Sequence, residues 1–337
     1  MKKTTFLLLA CLTASGALRA QSTELQSPLK VSGYVQTQWQ LGEKEASLKV
    51  GAANENLNKS FNRLGIRRGR LKFSYEKGLA SAVFQIDMTE KGMGVKDAYL
   101  NLKDPWKGNN ALRAGLFNRP FGYEIAYSSS QRESPERSRI FQTLFPDERD
   151  LGVMLSLQPI KGSALSFLKL EAGLFAGNGI KQETDSRKDF IGHLSATGVM
   201  ERLTFGGGLS YYNGAAYQLE TSRYAKREYF GMDARLQWKS SLGSGKLHAE
   251  YLWGTHLDND FGGGYAMLVQ DLGRSPLAVV AKYDWYEPAA LSYSTFGAGA
   301  LWYATSTIRL QMYYEWNSTH PDERQDNVLT LRLQYKF

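Results

Sequence analysis

Leu329-Thr330-Leu331-Arg332-Leu333-Gln334-Tyr335-Lys336-Phe337 closes the chain and alternates apolar and polar residues without a break. Successive strand side chains point to opposite faces. Leu329, Leu331, Leu333, Tyr335 and Phe337 therefore share one face, and Thr330, Arg332, Gln334 and Lys336 the other. A soluble sheet packed on a core and a membrane strand both produce this pattern, so the rest of the chain must decide between them. After the N-terminal residues no stretch approaches 18 consecutive apolar residues, which rules out a transmembrane helix. Yet 12% of residues are aromatic, with 33 glycines, only 9 prolines and charges interrupting nearly every apolar run. That balance suits a barrel whose lipid face needs aromatics and whose turns and crowded inner wall need glycine.

The two ends point to the same compartment. An aromatic terminus at Phe337, with Tyr335 two positions earlier, resembles the assembly signal of bacterial outer-membrane barrels. Met1-Lys2-Lys3, the apolar run Phe6 to Leu12 and the small residues around Gly16 to Ala20 form an export signal. Cleavage after Ala20 gives residues 1–20 as signal peptide and a mature domain of 21–337. Leu8-Leu9-Ala10-Cys11 has the residue types of a lipoprotein box, but cutting there leaves an apolar segment of only about six residues, below the usual range of about 7–15. Losing Lys2, Lys3 and Arg19 takes the net charge from +8 to +5. Cys11 is the only cysteine, so the mature chain has neither a disulfide nor a thiolate metal site.

Runs of period two predict an all-β fold, an antiparallel transmembrane barrel of about 16 strands. They fall near 31–40, 63–76, 79–89, 95–103, 111–118, 151–158, 164–175, 190–200, 202–212, 227–239, 245–254, 261–271, 277–286, 293–303, 307–316 and 327–337. Short turn-like connections alternate with longer segments at 41–62, 119–150, 176–189, 213–226 and 317–326, as short periplasmic turns alternate with external loops. The longest, 119–150, is the third external loop and is expected to fold into the lumen. Ser134-Pro135 reads as the start of a short helix in it, with Ile140, Phe141, Leu144 and Phe145 on the apolar face and Arg132, Arg137 and Arg139 turned to the channel. Over residues 132–150 five acids, among them Glu133 and Glu136, outnumber the four arginines.

Taking the more apolar face of each strand as the lipid face leaves a charged inner wall with roughly 11 cations against 8 acids. Arg68, Arg70 and Lys72 stack along one strand face at about 6–7 Å intervals, twice the rise per residue. Arg67 lies beside them, and no acid lies between Glu55 and Glu76. Arg113 adds a further inward cation. Most tyrosines and tryptophans, Trp302 and Trp316 among them, fall on the lipid parity, which leaves no aromatic slide for sugars.

Arg67-Arg68-Gly69-Arg70-Leu71-Lys72, then Phe84 to Met88, Val95 to Leu100, Leu112 to Glu124 and Arg149 to Leu155 resemble the phosphate-selective porin (O and P type) family of bacterial outer-membrane proteins. Ala172 to Gly179, Glu250 to Gly254 and Ala281 to Tyr286 continue the likeness in order. The resemblance implies a trimeric, water-filled porin of sixteen strands in the outer membrane that passes small solutes, with arginines and lysines guiding anions such as phosphate past the inward third loop. Its arginine motif falls on Arg67, Arg68 and Arg70, and the basic residue before the Pro-Phe-Gly turn on Arg119. Tyr335 and Phe337 would engage the outer-membrane assembly machinery. His193 stands where many relatives have arginine. Two other functions remain open, a barrel enzyme and a structural or surface-recognition barrel. For the enzyme, His193, His248, His256 and His320 are the available bases, and His248 faces inward beside Glu250. Neither cofactor, metal nor nucleic acid is implied.

Overall fold

The computed structural model describes residues 28–53, 58–218 and 220–337, and the signal-peptide reading lies outside them. Sixteen strands form one closed antiparallel barrel in which each pairs with its chain neighbours and β1 closes on β16. In chain order they are β1 Leu29–Gly42, β2 Phe61–Lys77, β3 Ala80–Thr89, β4 Gly92–Lys103, β5 Ala111–Asn118, β6 Arg149–Leu157, β7 Leu168–Phe175 and β8 Asp189–Val199. They continue as β9 Leu203–Gln218, β10 Arg223–Ser240, β11 Gly243–His256, β12 Asn259–Asp271, β13 Leu277–Pro288, β14 Ser292–Tyr303, β15 Ile308–His320 and β16 Val328–Lys336. Closure leaves no strand edge unpaired, which a bilayer demands because nothing there can bond a bare N–H or C=O.

The last strand behaves as its alternation requires. Leu333, Tyr335 and Phe337 are 46%, 50% and 55% exposed on the outer face, whereas Thr330, Arg332 and Gln334 are buried in the lumen. The predicted loop at 213–226 is instead mostly strand: β9 runs on to Gln218 and pairs with β10 from Arg223 as a hairpin. Asn213, Gly214, Ala215 and Ala216 are small or polar and carry no apolar alternation to mark the strand.

Two β-bulges set the inner wall. Gln36 pairs with Arg68 and Thr37 with Ile66, so Arg67 is the extra residue of β2. Gln85 pairs with Asp97 and Ile86 with Val95, so Lys96 is the extra residue of β4. A bulge lets two consecutive side chains serve one face: Arg67, Arg68 and Lys96 reach inward to Glu136 and Asp147 of the third loop, and Asp97 to Arg149 at the start of β6. Residue parity carries the trace of both bulges: exposed Leu64 and Ile66 give way to Leu71, Phe73 and Tyr75, and Met93 and Val95 to Leu100 and Leu102.

The third loop, residues 119–148 between β5 and β6, occupies the lumen. Its helix α1, Arg139–Leu144, begins with Ser138 as N-cap, later than Ser134-Pro135 implied. The predicted apolar face holds, since Ile140, Phe141, Leu144 and Phe145 are all buried. They pack with Phe121 against wall rings from β9 to β13, including Tyr212, Tyr229 and Tyr265. Those tyrosines are exceptions to the lipid parity of most tyrosines and tryptophans. Tyrosine can fill the inner wall with its ring and hydrogen-bond through its hydroxyl, while Trp302 and Trp316 remain on the outside.

Candidate functional site

The acids of the third loop are its anchors to the wall. Glu136 accepts from Arg67 Nε at 2.7 Å, from Arg67 Nη2 and Arg68 Nη2 at 2.8 Å, and from Arg332 Nη2 at 3.0 Å. Glu124 accepts from Lys282 Nζ at 2.9 Å and from Ser138 Oγ at 2.6 Å. Glu133 takes Lys246 Nζ at 2.7 Å, and Glu148 pairs with both Arg137 and Arg149. From the wall side, Glu250 on β11 accepts the backbone N–H groups of Tyr123 and Glu124. Gly122, at φ +62°, permits this approach, because a Cβ there would collide with the Glu250 carboxylate.

Burial alone would raise the Glu136 carboxyl, but the guanidiniums of Arg67, Arg68 and Arg332 overcome it and hold the group well below the usual carboxylate range. Burial opposes ionisation of Glu148 and Glu124 in the same way. Arg137 and Arg149 lower the first, and Lys282 and Ser138 the second.

These pairings change the reading of the row on β2. Arg68 is bound to Glu136, and Arg70 Nε lies 3.2 Å from Asp87 Oδ2 on the neighbouring strand. The row does have acids beside it, one of them 68 residues away in sequence. Arg132 is fully buried, with Nη2 3.4 Å from the Pro135 carbonyl and with Nε and Nη1 unbonded. Arg137 donates to the carbonyls of Glu124, Ile125 and Tyr127, which makes it a brace inside the loop. Arg119 sits beside Asp150, Nε to Oδ2 3.3 Å, and Arg139 lies 4.4 Å over the Tyr293 ring. His193 Nε2 is 3.1 Å from Asp233 Oδ2, and His248 packs edge-on against Tyr123 and Tyr127 with neither ring nitrogen bonded.

The loop leaves open space on both of its sides. Toward the external mouth, one cavity of about 410 Å³ has mixed walls: Lys49, Arg139 and Arg324 face Glu45, Asp284, Glu315 and Asp326. A second, of about 490 Å³, runs beside Arg119, Lys181 and Arg227. Toward the periplasmic end, beneath the loop, lies a cavity of about 390 Å³ lined by Arg70, Lys72, Arg113, Arg137, Arg149 and Lys336, with Asp97 as its one acidic side chain. Arg137 borders both this cavity and the mixed one above. Among the described residues, Lys72, Arg113 and Lys336 make no ion pair. Arg113 instead stacks 4.6 Å over the Tyr99 ring and 5.5 Å from Phe117. In the sequence Lys336 is one of many inward charges, and only the positions of the carboxylates show that it has no ion-pair partner.

Known proteins show the same architecture. OprB of Pseudomonas putida superposes with a TM-score of 0.66 at 10% identity, over 92% of this chain and 94% of its own. The outer-membrane channel DcaP of Acinetobacter baumannii gives 0.63 at 12%, over 92% and 97%. An anion-selective porin from Comamonas acidovorans gives 0.61 at 13%, over 92% and 99%. At such identities the likeness is one of fold. No curated protein matches the chain in sequence. The family model for phosphate-selective porins O and P matches residues 49–285. A match of that extent, on a sixteen-stranded barrel with its third loop in the lumen, places the protein in the bacterial outer membrane as a porin channel: the chain belongs to the phosphate-selective porin O and P family.

Proposed function

We propose that this porin conducts small anions in preference to cations, and that the preference is set beneath the third loop. The observation that carries this reading is the cavity of about 390 Å³ with six cationic and one acidic side chain on its walls, three of the cations without an ion pair. Fixed charges on a low-dielectric wall concentrate counter-ions, and several weak sites permit flux where one tight site would hold the ion. Arg67 and Arg68 act mainly by holding Glu136 and the loop; Lys72, Arg113 and Lys336 meet the passing ion. Arg119 and Arg227, each paired with an aspartate, border one outer cavity and Arg139 the other, where carboxylates outnumber cations, so neither sets the preference, while Arg132 and Arg137 stiffen the loop. Phosphate is one anion this wall would accept, since guanidinium groups bind oxyanions bidentately.

In this reading residues 1–20 direct export and are removed, Tyr335 and Phe337 engage the assembly machinery, and the mature chain forms a homotrimer. OmpT of Vibrio cholerae, which superposes at a TM-score of 0.59 and 10% identity over 92% of this chain, was solved in a trimer form. The reversal potential of the purified protein in planar bilayers under a potassium chloride gradient tests the main claim. A sign set by chloride supports it, and a sign set by potassium refutes it.

A further inference from the structure

We infer that the cavity beneath the third loop selects small organic anions, a carboxylate or phosphate carried on a flat apolar body, over inorganic phosphate. The inference rests on the anion preference proposed above and adds the class of solute. The volume is the first ground. About 390 Å³ lies within the range of about 300–1,000 Å³ that encloses organic ligands, and a bare oxyanion would leave most of it to water.

The wall chemistry is the second ground. Tyr34, Tyr99 and Tyr127 line the same space as Lys72, Arg113 and Lys336. Arg113 already rests on the Tyr99 ring at 4.6 Å with its Nε buried and unbonded, which leaves its Nη groups to face the cavity. A guanidinium supported on one face by an aromatic ring offers its other face to a second flat group while its N–H edge meets an anion. Ser128 and Ser130, whose hydroxyls lie 3.1 Å apart, add neutral polar groups suited to an ester or carboxylate oxygen. A hydrated inorganic ion gains nothing from the rings. An organic anion exchanges its apolar surface for contact with them and keeps the same charge contacts.

The test is block of chloride current through the purified full-length mature protein in planar bilayers, comparing phenyl phosphate with inorganic phosphate, and phenyltrimethylammonium as the cationic control for simple partitioning. Phenyl phosphate should half-block at a concentration about tenfold lower than inorganic phosphate, with the cation inert. Tyr99→Leu should bring the two phosphates together. Equal half-block concentrations in the wild type would overturn the inference, as would discrimination that survives Tyr99→Leu or equal block by the cation. Cation preference in the wild-type reversal potential would instead overturn the anion reading itself.

Discussion

Glu136→Gln should release the third loop without unfolding the barrel. The carboxylate receives four hydrogen bonds from three guanidiniums, those of Arg67, Arg68 and Arg332. An amide removes the charge and turns one acceptor into a donor facing donors. Removing one partner of a buried pair costs about 3–5 kcal/mol because the other charge is left uncompensated. Here three cations lose their shared acid, and only water drawn into the lumen can lessen the cost. Taking about 4 kcal/mol, the equilibrium between docked and undocked loop shifts by roughly a thousandfold. The barrel ladder is untouched, since Glu136 meets β2 and β16 only through their arginine side chains and takes no part in backbone pairing. Hydrogen exchange should therefore show amides near Arg137–Phe141 losing protection by about that factor while β10 and β11 keep theirs, and single-channel records should become noisier. Unchanged protection of the loop amides would refute the latch reasoning.

Acid should leave the latch closed until well below the ordinary carboxylate range. The Glu136, Glu124 and Glu148 carboxyls are depressed in the folded state, so their contribution is fully present above the unfolded value and is lost only as pH falls through the folded one. Loop protection that collapses between about pH 6 and pH 5 would contradict this. Tags placed in residues 43–53 or 321–327 should be reachable on intact cells, and tags at 241–242 should not; the reverse would invert the topology. Deleting Phe337 should lower the yield of membrane-inserted, heat-modifiable barrel by more than its lost burial of about 1.5–3 kcal/mol suggests, and normal yield would exclude a role in assembly.

The strands were legible because lipid imposes a strict outer face. Every apolar alternation that crosses the bilayer, as in Leu329 to Phe337, marks one. Where strands rise beyond the bilayer that pressure ends, which is why the β9–β10 hairpin at 213–226 read as a loop. The loop's place in the lumen and its buried face at Ile140, Phe141, Leu144 and Phe145 were also legible, from length and helical spacing. Its pairings were not. Arg67 and Arg68 meet Glu136, and Lys282 meets Glu124 across 158 residues, contacts that no local pattern encodes. One further signal was available in the parity slips after Ile66 and Val95, each marking a bulge that turns two adjacent charges inward. The apparent cation row at Arg68, Arg70 and Lys72 thus separates into two paired guanidiniums and one free ammonium.

The central claim is that the unpaired cations beneath the loop, and not the paired arginines that hold it, set the preference for anions. It is tested most directly by the reversal potential of Lys72→Gln, Arg113→Gln, Lys336→Gln triple-variant channels beside wild type. Measured at about 0.01 M salt, where the Debye length is about 30 Å, screening is weakest. The wild type should favour chloride and the triple variant should lose most of that preference at similar conductance. An unchanged chloride-to-potassium permeability ratio in the triple variant would contradict the account.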